Sequence, residues 1–301
     1  GARVEAMTYP LPPRTKREAA DFEIREELGD GSLSMVHLAI ERPSGTRYAM
    51  KIFDRKYLRS QHKEADVTIE EHCLRRLNHP GIVKLHASFR DGDCNFFALE
   101  LCPGGDLAGR TKDVGCPDRA ARRYLAQVLE ALAYLRDAGV VHRDVKGENV
   151  MLSAGDTCKL VDFGSAKDLN NPHIKGAGTH SFKKVLEDNV GTPNFMAPEV
   201  IKNKFSDFRC DVWSFGCTVY QVVSGLPPFG RDIIRVYERA QKARLNMPPG
   251  ISDDARHLIR QTVRVDPDAR LGAADIRDLR AHPFFAALPA SCGPRFEGAH
   301  R

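Results

Sequence analysis

The spacing of hydrophobic and polar residues divides the chain into two halves of different character. Over residues 22–101, short runs rich in β-branched and aromatic residues alternate with glycine-containing turns, which is typical of β-strands. One stretch within this half, 66–77, instead has apolar residues at helical spacing. Beyond residue 102, apolar residues recur mainly at helical intervals. The pattern predicts an α+β fold with a small β-rich lobe that carries one helix and a larger α-helical lobe.

A proline-glycine-glycine sequence at 103–105 lies where the two halves meet, and such a segment favours a turn or linker. We therefore assign the small lobe to residues 21–102 and the large lobe to 103–286. Residues 1–20 are rich in proline, arginine and alanine without apolar periodicity, so a flexible lead-in is predicted. Residues 287–301 lack periodicity as well and are assigned as a short tail.

Two helices of the large lobe have clear ends in the sequence. Residues 117–138 begin with proline, repeat apolar residues at helical spacing and stop at Gly139. A second, largely apolar helix begins at Asp211 and ends at Gly225. We assign Asp211 as the cap of that helix.

Three oxygen-bearing side chains follow one another within residues 140–164. Asp144 precedes Asn149 by five residues, and Asp162 begins an Asp-Phe-Gly turn after a β-branched and apolar run. Two carboxylates and an amide on neighbouring loops are the groups needed to orient a hydroxyl and to hold Mg²⁺ against phosphate. For either acid alone a turn cap is the simpler interpretation. The joint spacing favours phosphoryl transfer.

Features of the small lobe also fit a phosphate-bearing ligand. Gly29 and Gly31 lie at the tip of a predicted hairpin, where the backbone can approach phosphate, although such a pair is more often only a tight turn. Lys51 interrupts an apolar strand, where a lysine usually faces solvent. Its carboxylate partner is predicted to be Glu70, which shares the apolar face of the small-lobe helix, with Glu71 as the competitor.

A buried ion pair is predicted in the large lobe. Arg270 lies in an otherwise apolar region, and a buried arginine needs a carboxylate. Glu199 is the best candidate. The segment 165–196, which precedes it, has no periodicity, and so long a loop is usually functional or disordered. We expect it to be the regulatory element.

Composition narrows the classes of function. The 301 residues include 45 Lys and Arg against 40 Asp and Glu, and the net charge of +5 does not indicate a nucleic-acid-binding protein. The eight cysteines are scattered without Cys-x-x-Cys pairs, so neither a zinc site nor a disulfide framework is expected, and a reducing, cytoplasmic location is favoured. No apolar run approaches the ~20 residues of a membrane span, so no transmembrane segment is expected.

Taken together, the motifs resemble one family. Four of them are similar, in the same order, to motifs of eukaryotic protein kinases: Ala-Met-Lys at 49–51, His-Arg-Asp-Val-Lys-Gly-Glu-Asn at 142–149, Asp-Phe-Gly at 162–164 and Ala-Pro-Glu at 197–199. Lys146, two residues after Asp144, resembles the serine/threonine class. Three further sequences resemble the AGC group, and within it the 3-phosphoinositide-dependent protein kinases: Gly-Asp-Gly-Ser-Leu-Ser-Met-Val at 29–36, Val-Ser-Gly-Leu-Pro-Pro-Phe at 223–229 and Asp-Ala-Arg-Leu-Gly at 268–272.

The resemblance implies a bilobal protein-kinase-like fold over residues 22–286 that binds ATP and Mg²⁺ and phosphorylates Ser or Thr of proteins. The implied catalytic residues are Asp144, which would accept the substrate proton, and Lys146, Lys51 and Glu70. The implied metal ligands are Asn149 and Asp162. The implied nucleotide-binding residues are Leu28, Gly29, Gly31, Ser34, Val36, Ala49, Lys51, Leu99, Glu100, Cys102, Asp106, Glu148, Asn149, Leu152 and Asp162. Among these, the backbone of Glu100 and Cys102 would bind the base and Asp106 would meet the ribose.

The implied partners are protein substrates, including the activation loops of other kinases, and a monomer is expected. In the resembling kinases a hydrophobic motif of the substrate docks on the small lobe. Here the groove residues that stay compatible with an apolar pocket are Leu58, Val67 and Thr68. Three residues of the groove differ from the resembling kinases: Arg59, Glu64 and Glu71 lie where those kinases have two apolar residues and an arginine. An unphosphorylated or differently charged partner is therefore expected.

The long loop also departs from the resembling kinases. Asp188 occupies the position of a phosphorylated serine, and Ile69 the position of the helix arginine that would bind its phosphate. We hypothesise that Asp188 faces Arg143 and partly replaces the phosphate, although a carboxylate carries less charge. The sequence leaves open whether Thr179 or Ser181 is phosphorylated.

Two alternatives belong to other classes. A pseudokinase would keep the fold as an interaction module, but its usual sign, loss of a catalytic motif residue, is absent. Ser34 and Gly147 are the only motif departures in its favour, and Gly147, in place of a common proline, is expected to change only loop stiffness. A small-molecule kinase is the other alternative. The segment 191–199, which resembles a peptide-binding loop, counts against it.

Overall fold

The computed structural model describes residues 17–286 except 32, 172, 174–192 and 203–205. The expectations for Asp188, Thr179 and Ser181 lie outside the described residues. The same holds for most of the lead-in and for the tail.

The small lobe is a five-stranded antiparallel sheet in the order β1-β2-β3-β5-β4. Its strands are β1 (Phe22–Gly31), β2 (Ser34–Glu41), β3 (Arg47–Asp54), β4 (Leu85–Asp91) and β5 (Cys94–Glu100). Two helices lie between β3 and β4: α1 (Arg55–Ser60) and α2 (Glu64–Arg76). The predicted strand-rich lobe with a helix at 66–77 is confirmed, and α1 is an additional short helix.

Alternation along β3 separates two apolar layers. Tyr48 and Met50 pack in a cluster on one face of the sheet, while Phe53 joins the main core on the other face, which α2 covers. Because side chains alternate along a strand, Lys51 lies on the same face as Phe53 and points toward α2. β3 is the central strand, so this lysine is not at an edge.

The large lobe is mainly helical, as predicted. Its helices are α3 (Leu107–Thr111), α4 (Asp118–Asp137), α5 (Pro198–Ile201), α6 (Phe208–Ser224), α7 (Ile233–Ala240), α8 (Asp253–Thr262) and α9 (Pro283–Ala286). Four short strands form two antiparallel pairs, β6 (Val140–Val141) with β9 (Lys167–Asp168) and β7 (Val150–Leu152) with β8 (Cys158–Leu160). These pairs fix the two loops that carry the candidate chemistry.

The glycine pair between the lobes is required by close backbone packing. The Gly104 N–H donates to the Leu152 carbonyl oxygen at 2.8 Å, and the Leu152 N–H donates to the Gly105 carbonyl oxygen at 2.9 Å. A Cβ on Gly104 would lie 2.8 Å from the Leu152 Cβ, and Gly105 has a φ of +72°. Both positions therefore favour glycine, and the connection is held against β7.

The predicted role of Asp211 as a helix cap is wrong. Helix α6 begins at Phe208, and its cap is Asp207, whose side chain accepts from the Arg209 N–H. Asp211 lies one turn inside the helix and is 3% exposed. The predicted C-terminal end is correct: Gly225 follows α6 with a φ of +70°, a conformation that favours glycine.

Candidate active site

A lysine and two carboxylates meet where the two lobes face each other. Lys51 of β3 donates to Glu70 of α2, with its Nζ 2.7 Å from Oε1 and 2.9 Å from Oε2. The same Nζ lies 3.1 Å from Asp162 Oδ1. The predicted ion pair with Glu70 is thus present, and its competitor Glu71 instead contacts Arg75 at 2.9 Å. One ammonium group links the small-lobe helix to the Asp-Phe-Gly turn.

Burial and charge shift the pKa values of this cluster. Burial alone would lower the pKa of Lys51, but the carboxylates of Asp162 and Glu70 outweigh it and raise that pKa above its ordinary value. Attraction to Lys51 lowers the pKa of Asp162 to about 2. Burial raises the pKa of Glu70 to about 7, because desolvation of a carboxylate that is only 2% exposed outweighs attraction to Lys51. Lys51 and Asp162 are therefore both ionised at neutral pH.

The catalytic-loop candidates form a second polar cluster around Asp144. Lys146 Nζ lies 2.8 Å from Asp144 Oδ2. The Asn149 Nδ2 donates to the Asp144 backbone oxygen at 2.8 Å and to its Oδ2 at 2.9 Å. The Val161 N–H donates to the Asn149 carbonyl oxygen at 3.0 Å, which ties this loop to the residue before Asp162. The three side chains that the sequence placed on two loops are therefore held on adjoining backbone.

Asp211 holds the backbone of the catalytic loop. Its two carboxylate oxygens accept from the His142 and Arg143 N–H groups, each at 2.8 Å. Arg143 has a φ of +67°, a strained conformation for a non-glycine residue that these bonds stabilise. Burial raises the pKa of Asp211. Sequence reasoning missed this role because the bonded residues lie 68 and 69 positions away.

His142 is a packing residue, as the sequence suggested. It is fully buried, and its ring lies 4.8 Å from the Phe163 ring in an edge-to-face arrangement. Its Nδ1 accepts from the Asp144 N–H at 3.2 Å, so Nε2 carries the proton and donates to the Val161 carbonyl oxygen at 3.0 Å. Leu74, Leu85 and Phe163 belong to the same apolar core. The histidine therefore joins the catalytic loop to the Asp-Phe-Gly turn.

Gln221 is a second residue that sequence reasoning missed. Its side-chain Oε1 accepts from the Gly147 N–H at 3.0 Å, and its Nε2 donates to Glu148 Oε1 at 2.9 Å. A Cβ on Gly147 would lie only 2.5 Å from that Oε1 and 3.0 Å from the Ala108 Cβ. The expectation that Gly147 changes only loop stiffness is therefore wrong. The glycine also provides an N–H and the space that Gln221 occupies.

The predicted nucleotide-binding residues lie on both sides of the gap between the lobes. In the β1–β2 hairpin Gly29 pairs with Val36 and Gly31 with Ser34, while Leu28 is 49% exposed. Val36 also pairs with Lys51 of β3, so this part of the hairpin lies beside the lysine in the sheet. On the neighbouring strands, the pairs Leu38 with Ala49 and Leu85 with Leu99 continue this wall.

The segment between the lobes is held against β7 of the large lobe. Asp106 forms a bridge to Met151 beside Leu152, and its carboxylate caps α3 by accepting from the Gly109 N–H at 2.7 Å. The Glu100 N–H already donates to the Lys84 carbonyl oxygen. Cys102 is buried, and burial raises its pKa to about 11. The Glu100 carbonyl oxygen is therefore the main-chain group of this residue that is suited to accept a hydrogen bond from the nucleotide base.

The predicted ion pair between Glu199 and Arg270 is present and buried. The two guanidinium Nη atoms each lie 2.7 Å from a Glu199 carboxylate oxygen, with the Arg270 side chain 0% exposed. Arg270 also donates to the backbone oxygens of Arg209 and Arg264 and lies over the Trp213 ring. This fork-to-fork geometry fixes α5, which follows the long loop, against the large lobe.

The structure thus consists of a β-sheet lobe and a helical lobe. Where the lobes meet, the lysine–carboxylate cluster lies near the loop that carries Asp144, Lys146 and Asn149, and this arrangement defines a bilobal phosphotransferase fold. The chain belongs to the protein kinase domain family, which matches residues 22–285.

Known relatives confirm the resemblance to 3-phosphoinositide-dependent kinases. The chain is similar to 3-phosphoinositide-dependent protein kinase 1 of Homo sapiens, with 34% identity over 96% of this chain and 51% of the relative. The same-named Arabidopsis thaliana protein is 35% identical over 91% of this chain and 56% of its own length. Serine/threonine-protein kinase PKH1 of Saccharomyces cerevisiae is 36% identical over 88% of this chain and 35% of the relative. The chain thus spans about a third to a half of these relatives.

No helix among the described residues is long and apolar enough to cross a membrane.

Proposed function

We propose that the chain is a serine/threonine protein kinase domain that transfers the ATP γ-phosphoryl group to Ser or Thr of protein substrates. The observation that carries this proposal is the contact of Lys51 with both Glu70 and Asp162, beside a loop in which Lys146 and Asn149 bind Asp144. Phosphoryl transfer depends mainly on positioning and electrostatic stabilisation. The two clusters supply cations, metal-capable oxygens and one oriented carboxylate.

The residues present fit Mg²⁺ bound together with a nucleotide. Asn149 donates through Nδ2 to Asp144, which leaves its amide oxygen as the metal-capable atom. Asp162 offers a carboxylate kept ionised by Lys51. Within the described ranges no group of three or more His, Cys, Asp or Glu side chains could hold a metal alone. One carboxylate and one amide suit Mg²⁺, which takes its other ligands from phosphate and water and neutralises phosphate charge.

The chain's own residues then have separate tasks. Lys51, held by Glu70, would bind the α- and β-phosphates. Asp144 would orient the substrate hydroxyl and accept its proton. Lys146, 2.8 Å from Asp144, would stabilise charge on the transferred group. Burial alone would lower the pKa of Lys146, but attraction to Asp144 and to neighbouring carboxylates outweighs burial and raises that pKa above its ordinary value. Lys146 therefore stays cationic.

Other kinases, phosphorylated on their activation loops, are the proposed substrates, as the resemblance implies. The small-lobe groove carries charged side chains that pair with each other: Arg59 Nε lies 3.1 Å from Glu64 Oε1, and Glu71 binds both Arg75 and Ser88. With Glu71 at the position of a phosphate-binding arginine, we propose that an unphosphorylated hydrophobic motif docks there. Titration with phosphorylated and unphosphorylated motif peptides tests this choice; tighter binding of the phosphorylated form would contradict it.

We propose a monomer located in the cytoplasm. All seven described cysteines are free thiols, which supports a reducing compartment.

The test of the proposed function is transfer of radiolabel from ATP to a panel of activation-loop and basic peptides. Asp144→Asn is expected to lower turnover by about 10²- to 10⁴-fold, since the proton acceptor is lost, and to leave ATP affinity nearly unchanged. Asp253→Asn, at an exposed position of α8, is the matched control and should keep full activity. Equal turnover in Asp144→Asn and the unmodified chain would refute the assignment. ATP binding without transfer to any peptide would favour an interaction module.

A further inference from the structure

A cavity on the large lobe is lined by cationic side chains that have no role in the candidate active site. It has a volume of about 400 Å³ and lies along α7 and the turn that follows it. Four of its lining side chains are cationic: Arg235, Arg239, Lys242 and Arg244. Glu238, Leu245 and Asn246 complete the lining. The volume lies within the range of protein ligand sites, so several atoms of a ligand can enter.

Helical spacing explains why these charges face one way. Glu238 and Arg239 lie three and four residues after Arg235, so all three line one side of the helix, and Lys242 follows in the turn just past its end. The opposite face is apolar: Val236, Tyr237 and Ala240 are buried against the lobe. The helix is therefore fixed by its apolar side, and its charged side is presented outward.

The turn after α7 is also fixed, which brings two further cations to the cavity. The Lys242 and Arg244 N–H groups both donate to the Arg239 carbonyl oxygen, at 3.1 and 2.9 Å. The Asn246 carbonyl oxygen accepts from the Tyr220 hydroxyl of α6 at 2.6 Å. Arg239 itself donates to the Phe229 carbonyl oxygen at 3.1 Å. The backbone that carries the cations is thus held in place before any ligand binds, which reduces the entropy lost on binding.

These cations are weakly compensated by the described part of the chain. No described carboxylate lies within ion-pair distance of Lys242 or Arg244, and the Arg235 contact with Asp232 is at the limit of 4.0 Å. A single carboxylate, Glu238, lines the cavity. Four cations against one carboxylate leave an excess of positive charge, and a concave site with such an excess concentrates its field on an anionic ligand.

We propose that this cavity binds an anionic segment of a protein partner, through carboxylates or phosphates next to an apolar residue. The apolar contact would be Ile234, which does not line the cavity itself but is 66% exposed and lies one helical turn before the lining residue Glu238. A peptide fits better than a membrane surface for two reasons. The charges line a recess and not a flat or convex face, and Glu238 can accept a hydrogen bond from a peptide backbone N–H, a donor that a segment of protein supplies beside its anionic groups. The site is separate from phosphoryl transfer, so binding can be measured without turnover.

The test is fluorescence anisotropy with labelled hexaglutamate carrying one terminal leucine, its phosphoserine counterpart, and a hexaglutamine version as the neutral control. The protein is the full chain carrying Asp144→Asn, which removes any contribution from turnover. We expect the two anionic peptides to bind and the neutral one not to bind. The double variant Lys242→Glu with Arg244→Glu should weaken binding by about tenfold or more, since two attractions become repulsions. Binding should also weaken with added salt.

Arg260→Glu is the control variant, because this exposed α8 arginine does not line the cavity. It should change binding by less than about threefold. Lys242 and Arg244 are exposed, so their variants should keep the thermal midpoint of the unmodified chain. Equal losses in Arg260→Glu and the double variant would overturn the proposal, because they would indicate attraction by net charge alone. Equal binding of hexaglutamine would also overturn it. So would cavity-dependent binding to phosphatidylserine-containing vesicles without peptide binding.

Discussion

Replacing Gly147 by alanine tests whether the space beside the catalytic loop is needed. Gly147 does not have a positive φ, so its backbone conformation is open to alanine. By conformational entropy alone, glycine to alanine at such a position stabilises a protein by about 0.4–1 kcal/mol. The packing of Gln221 predicts the opposite sign. Whether Gly147→Ala raises or lowers the free energy of unfolding therefore decides between the entropy argument and the packing argument.

The expected magnitude follows from two contacts. The new Cβ would lie 2.5 Å from Gln221 Oε1, so the amide must move and the buried Gly147 N–H loses its acceptor, which costs about 1–3 kcal/mol. The same Cβ would lie 3.0 Å from the Ala108 Cβ and backbone nitrogen, and such crowding costs about 1–3 kcal/mol. After subtracting the entropic gain, we expect the free energy of unfolding to fall by roughly 1–5 kcal/mol.

The assay is urea unfolding followed by fluorescence of Trp213, the single tryptophan, which is fully buried in α6. Gly155→Ala is the matched control, because this exposed turn glycine has no positive φ and its nearest neighbour would be Ser153 Oγ at 3.9 Å. It should be neutral or stabilising. Adding Gln221→Ala to Gly147→Ala relieves the crowding and should recover part of the loss.

A stabilising effect of Gly147→Ala, similar to that of Gly155→Ala, would refute the packing argument. An additive effect of the Gly147 and Gln221 substitutions would do the same, since residues in contact should couple by about 0.5–3 kcal/mol.

Glu199→Gln leaves the buried Arg270 without its carboxylate and should lower the free energy of unfolding by about 3–5 kcal/mol in the same urea assay. The double variant Glu199→Leu with Arg270→Met should recover much of that loss, and an equally unstable double variant would contradict the argument. Asp211→Ala should leave the buried His142 N–H and the partly buried Arg143 N–H without their acceptor, at about 1–3 kcal/mol for the buried group and less for the other, and should speed their hydrogen exchange; unchanged protection would contradict the role of Asp211. Titration of Glu70 should make stability and turnover change in opposite directions with pH. Its pKa rises from 4.5 to about 7 on burial, so the stability it contributes is present below pH 4.5 and is lost as pH rises through about 7. Turnover, which needs the carboxylate to hold Lys51, should rise over the same interval; Glu70→Gln should remove both trends, and a variant with unchanged pH profiles would count against this assignment.

Local patterns were sufficient to find the partners that lie on regular elements. Helical spacing favoured Glu70 over its competitor Glu71 as the partner of Lys51, because a helix fixes which residues share a face, and the structure confirms Glu70. The need of a buried arginine for a carboxylate likewise identified Glu199. In both cases the chemistry of one residue restricted the choice of its partner to a few positions.

Two supporting residues could not be found in this way. The side chains of Asp211 and Gln221 accept hydrogen bonds from backbone N–H groups of the catalytic loop. Every residue except proline has a backbone N–H, so the residue types in the sequence do not indicate which N–H groups these side chains bind. The sequence suggested a helix cap for Asp211 because an acid near a helix start is usually one. The cap is Asp207, four residues earlier.

The sequence by itself determined the order of strands and helices, the two loops with their carboxylates, and the pairing of charges that have few possible partners. These depend on residue type and on spacing along the chain. Tertiary structure alone decided which backbone groups the buried side chains bind, why Gly147 must remain small, and that the cations of α7 and its turn surround one cavity. These features depend on distances between segments that are remote in sequence, and the packing of the helices sets those distances.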